Sequence, residues 1–224
     1  MAYKKSDDTR NRILKSAARI FAKRGYYETG IGDIARDAGI GRASFYYYFE
    51  DKEKAARAVF DSYVDRIYEA ADKVVPIGTS EDGSERTTET LMLSIFVKYV
   101  LLFKYIALNK ATHAVYYDLV NFADYDTANI ERLKRTTYKD TIRLAADYGG
   151  QMSESQLVAF IVTTNTVAKA IFKAMSNGIL DFSLEEAVDF FLRHAVLPDI
   201  PIPEDTYRAL RTKAFELCKG ISLD

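Results

Sequence analysis

The sequence predicts an all-α chain in which a small three-helix head precedes a larger helical bundle. Three observations carry this expectation. Apolar residues recur at i, i+3, i+4 and i+7 along most of the chain. Between Ile31 and Lys52, two short helical periods flank a glycine. Beyond residue 84, helix-start and helix-stop signals alternate, with no strand pattern and no internal repeat.

The first helix is expected over Thr9 to Gly25, with Ile13, Ala17, Ile20 and Phe21 inward and Arg10, Arg12, Lys15, Arg19, Lys23 and Arg24 outward. Ile31 to Ala38 places Ile31, Ile34, Ala35 and Ala38 on one face, and Gly39 supplies the left-handed residue that ends such a helix. Ile40 is an apolar plug, and a second helix runs Arg42 to Phe49 with Phe45 and Phe49 inward. Small Ala35, turning Gly39 and large Phe45 supply what a helix-turn-helix requires: close approach, a bend, and packing of the second helix on the first. Such a unit lays its second helix in the major groove of DNA. Asp51-Lys52-Glu53 then opens a connecting helix running to about Val74.

The segment Pro76 to Ser84 is the clearest loop and ends the connecting helix. Helices are expected from Thr88 to Leu108, from Lys110 to Val120, and from Asp126 to Tyr148 before Gly149-Gly150. Ser153-Glu154-Ser155-Gln156 is a helix start that continues to Ser176-Asn177-Gly178, and Ser183 starts a helix ending near Leu197-Pro198. Pro198, Pro201 and Pro203 stiffen a linker before a last helix, Glu204 to Lys219. As functional parts the chain divides into a helix-turn-helix DNA-binding domain, 1–52, and a ligand-binding and dimerisation domain, 53–224.

Charge distribution agrees with a DNA-reading head. The net charge is -1, yet residues 1–60 carry 13 Lys and Arg against 8 Asp and Glu, and the remainder 18 against 24. One cysteine, Cys218, permits no intrachain disulfide, and no cysteine–histidine cluster suits a metal. The polar start MAYKKSDDTR lacks the apolar core of a signal peptide. The apolar run Leu91 to Leu108 is broken by Ser94, Lys98 and Lys104, as in a buried helix rather than a membrane span. A cytoplasmic chain with no membrane partner and no cofactor is expected. With no Gly-rich phosphate loop, and with His113 and His194 in unrelated segments, the pattern does not suit an enzyme.

The chain resembles the TetR-like (tetracycline-repressor-like) transcriptional regulators. The resemblance rests on Arg12-Ile13-Leu14, Ala17-Ala18, Phe21, Gly25-Tyr26, Thr29, Asp33-Ile34-Ala35, Ala38-Gly39-Ile40, Tyr46-Tyr47-Tyr48-Phe49 and Lys52-Glu53, all in the first quarter of the chain. Gly30 and Gly41 depart from it, because the family usually has Ser or Thr before each helix of the motif. Glycine is a tolerable cap but loses the hydroxyl's contact with phosphate.

The residues themselves suggest the DNA contacts. Arg42, Ala43, Ser44 and Tyr47 take N-terminal and outward positions on the recognition helix. Arg42 suits guanine, Ser44 a base edge or phosphate, and Ala43 a thymine methyl. Tyr46 and Tyr47 suit phosphate and sugar, and Lys52, beside a helix start, suits phosphate. Two heads are needed to read a palindrome in successive grooves, which calls for a homodimer. The resemblance puts the dimer interface on the last two long helices, whose apolar residues include Phe160, Val167, Ile171, Phe172, Val188 and Phe191.

Tyr99, Phe103, Ile106, His113, Tyr116, Tyr117 and Tyr138, with Asn165, gather aromatic and hydrogen-bonding groups in the middle helices. They suit either a pocket for a small apolar or aromatic effector or an ordinary tyrosine-rich core. What the resemblance implies is a repressor that binds a palindromic operator in double-stranded DNA and is released by that effector. A transcriptional activator, or a ligand-independent architectural DNA binder, would carry the same head.

Overall fold

The computed structural model describes residues 2–75, 87–107, 130–131, 133, 141–148 and 150–223, and every regular element among them is helical. The segments expected as the loop after Val74, the helix Lys110 to Val120 and the first part of the helix to Tyr148 lie mostly outside those residues. The chain divides into two compact units, one reaching Asp65 and the other starting at Arg66.

In the first unit, α1 (Ala2–Arg24) buries Ile13, Leu14, Ala17 and Phe21 on one stripe. Ile20, expected inward, is only half-buried, because Ile13, Ala17 and Phe21 set a four-residue period that leaves it on the flank. The basic side chains Arg10, Arg12, Lys15, Arg19, Lys23 and Arg24 are exposed. α2 (Ile31–Asp37) and α3 (Arg42–Tyr48) follow, and α4 (Lys52–Val74) begins in this unit and crosses into the second.

The second unit is built on α5 (Thr88–Leu102), whose last turn widens into a π-helical segment, Phe103–Ala107. α6 spans 141–147. α7 (Glu154–Ser176) and α8 (Leu184–Phe191) each start on a serine capping box, Ser153 with Gln156 and Ser183 with Glu186. α8 also runs into a π-helical turn, Leu192–Val196, before α9 (Glu204–Cys218) packs along α5.

The core of this unit is aromatic. Phe103 meets Phe172 at 4.8 Å and Phe191 at 5.4 Å between ring centres, and Phe96 meets Tyr207 at 5.6 Å. By length and composition, α5 with its π turn and α7 are both apolar enough to cross a membrane. α5 instead buries eight of its own residues in the bundle, and Lys104 donates to the carbonyls of Cys218 and Ile221.

An ion-pair network ties α9 to the end of α8. Arg193 places both terminal nitrogens on Glu204 at 3.1 and 3.0 Å and its Nε on Asp189 at 3.1 Å, while Tyr207 donates to Asp189 at 2.6 Å. The Arg193 hydrogen bond, followed by that from Arg208, lowers the Glu204 carboxyl from 4.5 to about 2. A carboxylate depressed on folding adds stability above its unfolded pKa and loses it as pH falls through the folded value. Glu204→Gln should therefore be less stable than the parent at neutral pH, and the difference should vanish between pH 4.5 and 2. Thermal unfolding across that window checks it, and a pH-independent difference would assign the loss to packing instead. Because the pair is exposed, the effect is expected to be small.

Candidate nucleic-acid interface and effector pocket

The turn between α2 and α3 has a specific backbone construction. Gly39 sits at φ +67°, the Ile40 N–H donates to Ala35 O at 3.0 Å, and the Gly39 N–H donates to Arg36 O at 3.2 Å. These are the paired bonds of a helix closed by a left-handed residue. Ile34, Ala35 and Ala38 are buried on one side of the turn, and Phe45 and Phe49 on the other, their rings 5.8 Å apart. Ile31 and Ile40 are only half-buried.

With Phe45 and Phe49 turned inward, α3 turns its other face outward. Arg42, Ala43, Ser44, Tyr46 and Tyr47 are all exposed, Tyr47 by 80%. The Arg42 guanidinium reaches the Tyr46 hydroxyl at 3.4 Å. A shallow concavity joins Ala43, Ser44, Tyr47 and Tyr48 of α3 with Thr9 and Arg12 of α1, so Arg12 stands beside the recognition helix. The sequence pattern places Arg12 on the basic rim but not next to Tyr47, because that neighbourhood depends on how α1 crosses α3.

Gly30 and Gly41 are the helix N-caps and contribute no side-chain bond. At Gly30 the Asp33 carboxylate accepts from the cap N–H at 3.2 Å, so one half of a capping box survives. Asp37, the last residue of α2, accepts hydrogen bonds from the Ser16 hydroxyl and from Arg19, which lower its carboxyl below the usual range.

Lys52 departs from expectation. Its ammonium donates to Tyr26 O at 2.8 Å and Thr29 O at 2.9 Å and lies 4.1 Å from the centre of the Tyr26 ring. It thus joins the start of α4 to the loop before α2, a use that competes with a phosphate contact. Lys52→Met should lower head stability by ~1–3 kcal/mol, since two carbonyls lose a charged donor. Unchanged denaturant unfolding with a shallower salt dependence of DNA binding would return Lys52 to phosphate.

In the second unit a cavity of about 100 Å³ is lined by Tyr68 of α4, a face of α5 from Leu91 to Leu102, Leu133, Thr141, and Phe160, Ile161 and Thr164 of α7. Polar side chains joining this lining include Ser94, Lys98, Tyr99 and Thr164. The Thr164 hydroxyl donates to Phe160 O at 2.8 Å. Burial pushes the Tyr99 phenol well above its usual range, opposed by a hydrogen bond with Thr164.

Of the expected pocket residues, Tyr99 lines this cavity. Phe103 and Ile106 do not: they are buried core, because the lining face of α5 follows Leu91, Ser94–Ile95, Lys98–Tyr99 and Leu102, and the π turn beyond it faces Phe172 and Phe191. Asn165 follows Thr164 but is not in the lining. His113, Tyr116, Tyr117 and Tyr138 lie outside the described residues.

The expected dimer residues differ little in exposure. Phe160, Ile171, Phe172, Val188 and Phe191 are buried within a single chain, leaving only Val167 half-buried. Phe172 and Phe191 pack on Phe103 of the π turn, and Phe191 also on Tyr99 of α5. The exposed face of α7 is instead Ala159, Val162, Thr163, Thr166 and Ala170, with Val162 39% exposed.

Residues 13–59 match the family described as "Bacterial regulatory proteins, tetR family". The HTH-type transcriptional regulator TtgR of Pseudomonas putida is 31% identical over 114 residues, 48% of this chain and 50% of that protein. The chain thus spans about half the length of the curated relatives it first matches. Among solved structures, RolR in complex with resorcinol aligns at a TM-score of 0.61 and 19% identity, covering 98% of this chain and 97% of that one. SmeT, repressor of a Stenotrophomonas maltophilia multidrug efflux pump, aligns at 0.59 and 16% identity over 88% and 96%. At these identities the structures speak to fold alone, and they match the all-helical architecture with its N-terminal helix-turn-helix head. The chain is thus similar to TetR-like helix-turn-helix regulators, in sequence over its head, residues 13–59, and in all-helical fold over nearly its whole length.

Proposed function

We propose that the chain is a homodimeric repressor that binds a palindromic operator in double-stranded DNA and is released by a small effector held in the second unit. The observation that carries this reading is the exposed Arg42–Tyr47 face of α3, held out by the buried Phe45 and Phe49. Residues 1–52 serve as the DNA-binding domain and 53–224 as the effector and dimerisation domain, in a cytoplasmic protein. α4, which begins at Lys52 and contributes Tyr68 to the pocket, is common to both functions.

Dimerisation is supported by α7. Its residues Ala159, Val162, Thr163, Thr166 and Ala170 form an uncharged, small-residue face that is exposed in a single chain, as suits a face that a second copy covers. Effector binding is supported by the cavity, which combines an apolar wall with a few polar groups. RolR, described with resorcinol, is an example of this fold holding a single-ring ligand.

Selection of bound duplexes from a random DNA pool by the purified protein tests the reading. Enrichment of one palindrome, with half-sites about one helical turn or a multiple apart, is the expected result. No enrichment at moderate salt would overturn it. On the enriched duplex, Arg42→Ala should cost ~1–3 kcal/mol and relax one base position. A uniform loss on all duplexes would make Arg42 a phosphate contact.

A further inference from the structure

Three hydroxyl side chains in the cavity wall are more than nine-tenths buried: Ser94 of α5 is 4% exposed, Thr141 of α6 3% and Thr164 of α7 5%. They are not in the same state. Thr164 does what a threonine inside a helix commonly does, returning its hydroxyl to the preceding turn, to Phe160 O at 2.8 Å and Ile161 O at 3.1 Å. Ser94 and Thr141 do not. Neither hydroxyl has a hydrogen-bond partner among the described residues, and both residues line the cavity. A buried hydroxyl left unpaired is destabilising, and buried polar groups are nearly always hydrogen-bonded. Two unpaired hydroxyls bordering one small space therefore mark the place of a ligand's polar group.

The rest of the wall sets the shape and charge of the occupant. Tyr68, Tyr99 and Phe160 supply aromatic surface, and Leu91, Ile95 and Leu102 aliphatic surface. The volume of about 100 Å³ limits the occupant to roughly one ring, on the scale of the ~150 Å³ cavity that takes up benzene in another protein. The one cation among the described lining residues, Lys98, is already engaged: its Nζ lies 3.7 Å from Asp72 Oδ1 of α4 and 5.4 Å from the centre of the Tyr68 ring. The wall thus offers no unmatched positive charge. Burial, which pushes the Tyr99 phenol upward, penalises any further anion held beside it.

Building on the effector-pocket reading, we propose that the ligand is an uncharged single-ring phenol whose hydroxyl pairs with Ser94 and Thr141. One O–H donates to the first of these hydroxyls and accepts from the second, so a single polar atom satisfies both. The ring lies against the tyrosines and Phe160. A hydrocarbon of the same shape leaves both hydroxyls unpaired, and a carboxylate of similar size brings a charge that the wall does not match.

Calorimetric titration of the full chain with phenol, with toluene (the same shape without the hydroxyl) and with benzoate tests the proposal. Phenol is expected to bind at least tenfold more tightly than either of the others, because a site built around a hydroxyl rejects the analogue that lacks it. The double variant Ser94→Ala, Thr141→Val should weaken phenol tenfold or more and bind toluene as tightly as the parent or more so. Without ligand it should melt no lower than the parent, since the two hydroxyls hold no bond within the fold. A lower Tm would show that they do, and would overturn the inference. Toluene or benzoate binding as tightly as phenol, or a double variant that binds phenol like the parent, also overturns it and leaves the pocket standing. Binding of none of the three probes overturns the pocket reading as well.

Discussion

Phe45→Ala is expected to remove ~3–5 kcal/mol from the stability of the head, the range for deleting a fully buried phenylalanine. Phe45 is the only fully buried side chain that α3 contributes, and it contacts Phe49 and Tyr46. With α3 only seven residues long, no intrinsic helix stability compensates. At about 1.4 kcal/mol per factor of ten, the folded head becomes at least a hundredfold rarer relative to its unfolded form. Operator binding should fall with it, while most of the helical signal from the second unit persists. Denaturant unfolding followed by circular dichroism measures the first effect, and titration of the selected duplex the second. A loss under ~1 kcal/mol would mean that something other than Phe45 docks the recognition helix.

Thr166→Arg is expected to convert the proposed dimer to monomer with little change in the stability of a single chain. Thr166 is exposed near the middle of the α7 face formed by Ala159, Val162, Thr163 and Ala170. Across a two-fold axis each substitution is present twice, so two long cations are forced into an apolar, small-residue seam. Phe191→Ala is the contrasting case. It is fully buried against Tyr99 and Phe103, at 4.4 and 5.4 Å between ring centres, and should cost ~3–5 kcal/mol of chain stability. Sedimentation velocity separates the two. A Thr166→Arg protein that remains dimeric would remove this face from the interface.

The head is legible because its determinants are local. Gly39, Ala35 and Phe45 lie within eleven residues, and each acts through the backbone or through neighbours one or two turns away. The serine starts at Ser153 and Ser183 are legible for the same reason, since a capping box closes within four residues. The role of Lys52 is not, because its partners, the carbonyls of Tyr26 and Thr29, are more than twenty residues away and no side-chain pattern marks them.

The bundle is legible as helices but not as faces. α7 is apolar on nearly every side, so periodicity cannot separate Phe160, Ile171 and Phe172, which face the core, from Val162 and Thr166, which face out. The pocket is half in view. Ser94 and Lys98 stand out as polar breaks in an apolar helix, yet in sequence they argue only against a membrane span, while the aromatic cluster points to Tyr99, which lines the cavity, and equally to Phe103, which does not.

From its own residues the sequence determined the helices, their caps, the glycine-closed turn and the apolar stripe that docks α3, because these are set by interactions within about one or two helical turns. Only the tertiary structure decided which apolar face is core and which is exposed, which carbonyls Lys52 reaches, and that Lys98 and Asp72 meet across α5 and α4. Those outcomes depend on the rotation of each helix against elements distant in sequence, and a helix with more apolar surface than one partner can cover does not encode that rotation locally.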